Sequence, residues 1–545
     1  MIRFLFLLVL FSGLAQGATI AIIDTGFDLD HDYLRPKILK KETDEEVIDF
    51  NGWDFFDNSH LKKPVIEDKS SLQDVLLYRE IRARGHRQGL TVDEFEWFKN
   101  KTSDKSFMEK VKLFKKHSHG TIVAGIALRE GENISIFPIR GLNTPNAVVA
   151  LETAQVAEGS IPLRGKTPEE KFQDDIKQSI DRVTKKFTRI CKFISQKKIE
   201  IVNASYGITY KNIMTKFRER HKEITGKEID EAKLKSLVDD YFQSLYEKGA
   251  RILGRHPNIL FVFSAGNSGL DNDNFHHYPS RIKTPNSISV AALNGEFLAT
   301  FSNYGLRHVD IGAPGVAIPS IVPKVYSQDG TDLYSLSSGT SMAAPYVSNL
   351  AAQIKNTNPN LKAFEIKKII LETGDSKEHL KLRLISGSMV DNKKALKAAL
   401  LSKDMKLSEA ISLSSSGLIP LEDQISIGSD RAVSPEEMEK RLLNSIPSII
   451  TPSEVEDEPT IIEDLPTKSS SSSQKNQVKV PQDNSLPLPS KDEGAQKEFS
   501  DQVPSSQTEE QSQKPSEAVP ASSSQPQPLP PETQSQESVL SSPQS

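Results

Sequence analysis

Two apolar patterns alternate along the chain. Short, unbroken apolar runs at 18–24, 134–139, 201–203, 259–264, 287–292 and 309–312 read as buried strands ended by turn residues. Segments 169–197, 230–247 and 340–355 instead repeat their apolar positions with a helical period. Strands alternating with helices predict a parallel sheet covered on both faces. Such a sheet binds ligands at the carboxyl ends of its strands, where Asp24, Asn203–Ser205 and Asn267 fall. Two charged stretches, 60–116 and 209–250, also contain helical patterns. Their interspersed Lys and Glu read as solvated helical insertions, and surface decoration is the first expectation for 60–116. Regular patterning fades after 402. An acidic mixed linker is expected at 403–466, followed by a Ser/Gln/Pro-rich tail at 467–545. That tail has too few apolar residues to offset the entropy of ordering its backbone, ~1–2 kcal/mol per residue, and is expected to be disordered.

Composition narrows the classes. The net charge of -5 is spread over 68 basic and 73 acidic residues, leaving no basic footprint for nucleic acid. One cysteine, Cys191, excludes an internal disulfide, and its apolar helical neighbours predict an inert core thiol. At the start, Arg3 precedes an apolar run at 4–11, and small residues follow at Ala15 and Gly17. This is the layout of a signal peptide over 1–17, too short for the ~20 residues of a membrane span. Export to a periplasmic or extracellular location follows, as a monomer with no membrane span in the mature chain.

Three segments carry chemistry: 21–26 with Asp24-Thr25-Gly26, 117–125 with His119-Gly120-Thr121, and 337–345 with Gly339-Thr340-Ser341. Each is ambiguous alone. Asp-Thr-Gly also serves aspartic proteases, but that chemistry needs a second carboxylate, and the chain has no second Asp-Thr-Gly. Asp24 also fits a helix N-cap. His119 fits a core histidine, or a weak metal pair with His117. Ser341 opens a helix whose unpaired N–H groups point at developing negative charge, yet a serine that merely caps a helix is common.

Taken together, in this order, the segments resemble the subtilisin-like serine proteases, the subtilases, over about 18–402. The order differs from the chymotrypsin and α/β-hydrolase arrangements, and His119 argues against the acid-active sedolisins. The resemblance implies a three-layer α/β fold with a mainly parallel sheet. It also implies polypeptide substrates and a triad of Asp24, His119 and Ser341. Asn267, in Ser264-Ala265-Gly266-Asn267, is the implied oxyanion-hole donor. Ser205, Tyr206 and Gly207 resemble the substrate-binding strand, and Ser264, Ala265 and Gly266 the opposite wall of the primary pocket. Tyr278-Pro279-Ser280, 301–305 and 312–315 match scaffold turns.

Three departures stand out. Ile122 replaces a second histidine that many members carry, which leaves the triad intact. The interval from Asp24 to His119 is lengthened by 60–116. The first strand begins almost at the expected signal cut, leaving no room for the usual N-terminal pro-domain, so either the domain folds unaided or an insertion performs part of that work. Calcium is common in the family; Asp28, Asp54 and Asp57 offer oxygens but form no recognisable loop, so they are read as surface acids and no cofactor is required. The competing function is a catalytically idle subtilase fold acting as a binding or scaffold module of the cell envelope.

Overall fold

The computed structural model describes residues 17–416, apart from 40, 43–46, 49–51, 56, 62–71, 143–165 and 327–332. The expected signal peptide, the tail and most of the 403–466 linker lie outside the described residues.

The predicted strands form one sheet. Its parallel centre comprises β1 (Thr19–Asp24), β2 (Trp53–Asp54), β3 (Ser135–Arg140), β4 (Ile201–Ala204), β5 (Leu260–Ser264), β6 (Ser287–Asn294) and β7 (Ile311–Pro314), in the order β7-β6-β5-β4-β1-β3-β2. Short antiparallel strands finish both ends. β1 lies between β3 and β4, where the winding reverses. A crevice opens at such a switch point, beyond the carboxyl ends of the strands.

Side-chain alternation divides the interior into two layers. Ile20, Ile22, Ile136, Ile201, Leu260 and Val262 face one core; Ala21, Ile23, Phe137, Ile139, Val202, Phe261 and Phe263 face the other. The second face is covered by α4 (Pro168–Gln196), α5 (Tyr210–Thr225) and α6 (Glu231–Gly254). Thr167 caps α4, with Glu170 completing the capping box. Phe172, Ile176, Ile180, Val183, Phe187, Ile190 and Ile194 then follow at three- and four-residue spacing and are buried. Cys191 is fully buried in this stripe, where desolvation raises its thiol pKa.

The 209–250 stretch is not a solvated appendage. Ile213 and Phe217 of α5 and Leu234, Val238, Phe242 and Leu245 of α6 belong to the second core. The charges occupy only the outer face of each helix, a pattern that local polarity masked.

The first face carries α3 (Lys105–Ala127) and α7 (Thr340–Thr357), with α1 (Leu72–Gln88) and α2 (Val92–Ser103) stacked beside them. Here too the insertion departs from expectation. Val75, Tyr78 and Ile81 of α1, Phe98 of α2, and Phe107, Val111 and Phe114 of α3 are buried in the same core as the sheet. Burying one such side chain contributes ~1.5–3 kcal/mol, so this set is structural rather than decorative. α3 itself runs from inside the insertion through His119 without a break.

Past residue 402, α8 (Leu407–Ser415) forms within the expected linker and buries Ile411 against the first core. Its nine residues are too few for a periodic signal to stand out. The acids weighed for calcium also differ from expectation. Asp28 and Asp54 are buried, at 8% and 1% exposure. Asp54 pairs with Arg140, and Asp28 accepts the Lys324 N–H at 2.7 Å. Asp57 is exposed.

Candidate active site

Asp24 ends β1, fully buried at the switch point. Its Oδ1 accepts the Thr25 N–H at 2.7 Å and the Thr25 hydroxyl at 3.2 Å. His119 Nδ1 stands 2.8 Å from Oδ1 and 2.9 Å from Oδ2. Two carboxylate oxygens facing Nδ1 favour the tautomer protonated there, which makes Nε2 the basic nitrogen.

The local sequence makes this approach feasible. Asp104 caps α3 by accepting from the N–H groups of Ser106 and Phe107. Gly120 lets the helix lie against the turn after β1, because a Cβ there would sit 2.3 Å from the Gly26 carbonyl oxygen. His117 lies about 200° around the helix from His119, so the two do not converge on one metal. Among the described residues no cluster of His, Cys, Asp and Glu can hold a metal ion.

Ser341 is the second residue of α7. Gly339 precedes it at φ +153°, a conformation that side chains rarely adopt. The Ser341 hydroxyl donates to the Ser205 carbonyl at 3.3 Å, and the Ser205 hydroxyl donates to the Ser341 carbonyl at 3.0 Å. Asn203 donates to Ser205 Oγ at 2.9 Å and accepts from Ser348 at 3.1 Å. The end of β4 is thereby tied to the first turns of α7.

Asn267 follows β5. Its Oδ1 accepts the Thr340 N–H at 2.8 Å and the Thr340 hydroxyl at 3.1 Å, and Thr340 Oγ1 in turn accepts the Gly266 N–H at 3.1 Å. With Oδ1 so engaged, the amide NH2 is the end left to donate. His119, Asn267 and Ser341 line one cleft, and Asp24 lies behind His119.

Sequence reasoning missed much of the rest of that cleft. Arg79, Arg82, Ala83 and His86 of α1 and Lys115 of α3 line it, together with Phe301, Leu336, Ser337, Ser338 and Met342. The 60–116 insertion is therefore a wall of the site. Its signal was the face formed by Arg79, Arg82, Ala83 and His86 at three- and four-residue spacing, legible as a face but not as one turned to a cleft. Of the expected substrate segments, Ser205, Tyr206, Ser264 and Ala265 are buried, and the Ser205 carbonyl accepts the Ser341 hydroxyl. The His277 imidazole sits between Gly207 and Gly266, since a Cβ on either would approach it to 2.1 and 3.0 Å. Nothing in the local sequence marked His277.

A carboxylate–imidazole pair at the switch point of a parallel sheet thus shares one cleft with a serine. The model of the subtilase family matches residues 15–394, and the chain belongs to that family. It is similar to the cell wall-associated protease of Bacillus subtilis (strain 168), 40% identical over 119 residues, 22% of this chain and 12% of that protein. It is also similar to fervidolysin of Fervidobacterium pennivorans, 37% identical over 131 residues, 21% of this chain and 18% of that protein. The matched segment thus spans less than a fifth of either relative. Among solved structures, a cold adapted subtilisin-like serine proteinase matches with a TM-score of 0.34 and 19% identity, covering 69% of this chain and 90% of that chain.

Proposed function

We propose that the protein is an exported serine endopeptidase in which Asp24, His119 and Ser341 form the catalytic triad. The observation that carries this is the His119 imidazole, held by both Asp24 oxygens at 2.8 and 2.9 Å and opening on a cleft shared with Ser341 and Asn267.

The chemistry follows from these roles. The Ser341 hydroxyl rotates from the Ser205 carbonyl towards His119 Nε2, gives up its proton, and attacks a peptide carbonyl. Asp24 stabilises the imidazolium. The oxyanion accepts hydrogen bonds from Asn267 Nδ2 and the Ser341 N–H at the start of α7. His119 passes its proton to the departing amine as the C–N bond breaks, leaving an ester on Ser341. Water, deprotonated by His119, then hydrolyses that ester and regenerates the hydroxyl. Export rests on the pattern at 1–17, and no described helix is long and apolar enough to cross a membrane.

A fluorophosphonate probe should label the purified full chain at neutral pH and leave Ser341→Ala unlabelled. An unlabelled wild type would sink the protease reading and favour the idle scaffold. Amino-terminal sequencing of protein recovered outside the cytoplasm should begin near Ala18; recovery solely from the cytoplasm with Met1 intact would refute export.

A further inference from the structure

The gap between Gly207 and Gly266 lies beside the reaction centre. Gly207 is two residues beyond Ser205, whose carbonyl accepts the Ser341 hydroxyl at 3.3 Å. Gly266 adjoins Asn267, whose Oδ1 accepts the Thr340 N–H at 2.8 Å. In the proposed protease these two backbones are the walls between which the side chain before the scissile bond would insert. Among its described lining residues, however, the cleft that holds His119, Asn267 and Ser341 includes none of Ser205, Tyr206, Gly207, Ser264, Ala265 and Gly266.

The chain itself fills that gap. His277 and Tyr278 pair antiparallel with Thr209 and Ile208, which brings His277 alongside Gly207. Its ring touches both walls: a Cβ on Gly207 would lie 2.1 Å from Nε2, and one on Gly266 3.0 Å from Cδ2. Bare glycine backbone on each side, which in an open slot leaves room for a substrate side chain, here leaves room for the imidazole. The ring is held in place by buried groups. Nδ1 stands 2.7 Å from Ser280 Oγ, and that hydroxyl donates to the His277 carbonyl at 3.3 Å and accepts from Asn272 Nδ2 at 3.4 Å. His277 is 1% exposed, and Ser280 and Asn272 are fully buried.

We infer that His277 is a specificity-determining residue that fills the primary pocket, so that the enzyme cleaves after Gly, Ala or Ser and rejects bulky side chains at that position. This rests on the protease reading above and adds a substrate class to it. A larger side chain meets the imidazole, and making room for it means breaking the ring's bond to Ser280 or spreading two walls of the core.

The test uses quenched fluorescent peptides that differ only at the residue before the cleaved bond: Ala, Leu, Phe or Glu, with the bond located by mass spectrometry. Wild type should show kcat/KM for the Ala peptide above those for Leu and Phe by ~100-fold, the scale on which a mismatched pocket discriminates, and above that for Glu. His277→Gly should raise the Phe-to-Ala ratio by at least ~10-fold. His277→Ser should move that ratio the same way, and His277→Gln, which keeps most of the volume, should hold the Ala preference. Ratios taken within one variant are independent of its active fraction, so partial misfolding does not mimic the result, and the wild-type ratios decide the matter even where a variant fails to fold. Cleavage after Leu or Phe as fast as after Ala by fluorophosphonate-reactive wild type overturns the inference and leaves the protease intact. Fastest cleavage after Glu overturns it too, since the ring would then recognise a carboxylate rather than exclude by size. So does an unchanged Phe-to-Ala ratio in folded His277→Gly. Absence of both labelling and cleavage overturns the two readings together.

Discussion

Thr340→Val tests how Asn267, the proposed oxyanion donor, is held. Thr340 is fully buried, and its Oγ1 donates to Asn267 Oδ1 at 3.1 Å and accepts from the Gly266 N–H at 3.1 Å. Valine keeps the shape and loses both. The Gly266 N–H is then left buried without that acceptor, at ~1–3 kcal/mol, so stability should fall by roughly 2–3 kcal/mol once the lost bond to Asn267 is added. Asn267 keeps the Thr340 N–H at 2.8 Å, so its amide is loosened rather than released. A loss of ~10-fold in kcat, equivalent to ~1.4 kcal/mol of transition-state stabilisation, is expected, with KM little changed. Asn267→Ala should cost far more, ~100- to 1000-fold, a range borrowed from measurements on a subtilisin, a member of this family. The assay is peptide hydrolysis normalised by fluorophosphonate titration of active sites. The two changes should also fail to add: in an Asn267→Ala background, Thr340→Val should lower kcat no further. An equal loss in both backgrounds would show that Thr340 acts by some route other than Asn267, and a fall of less than ~10-fold for Asn267→Ala would remove that residue from the oxyanion hole.

Two further outcomes probe the insertion. Tyr78 stacks on Phe98 at 4.7 Å and meets Phe107 edge-on at 5.6 Å, so Tyr78→Ala should destabilise the protein by ~3–5 kcal/mol in urea unfolding. A change within ~0.5 kcal/mol would return the insertion to surface decoration. Burial pushes the Glu80 carboxyl from 4.5 up to about 7 against the opposing pull of Arg84, so the folded state holds this proton more tightly than the unfolded chain. Its contribution is complete below pH 4.5 and is lost as pH rises through about 7. Glu80→Gln should flatten that decline and raise stability at alkaline pH by on the order of 2 kcal/mol; an unchanged pH slope between acid and alkaline unfolding curves would refute it.

Local patterning carried the central sheet. The runs around Ile20, Phe137, Val202, Phe261 and Val290 are continuous because strands covered on both faces bury every side chain, and such runs survive without tertiary information. The three segments around Asp24, His119 and Ser341 were legible for a related reason: each couples a polar side chain to a glycine, and here Gly120 permits a close approach while Gly339 adopts a positive φ. Their convergence was not legible. Asp24 and His119 meet only because β1 lies at the reversal of winding and α3 crosses its end.

The charged helices mark the boundary most clearly. Composition counts charges but does not say which face of a helix turns outward. Tyr78 and Val75 enter the core while Arg79 and Arg82, one helical step away, reach the cleft. That direction is fixed by what α1 packs against, a strand more than 240 positions further along the chain at Leu333–Ser337. The sequence by itself determined the sheet, its family and the chemical groups at the strand ends. Tertiary structure alone decided that the insertion forms a wall of the cleft and which charge it presents there, because contacts so distant in sequence leave no periodic trace in it.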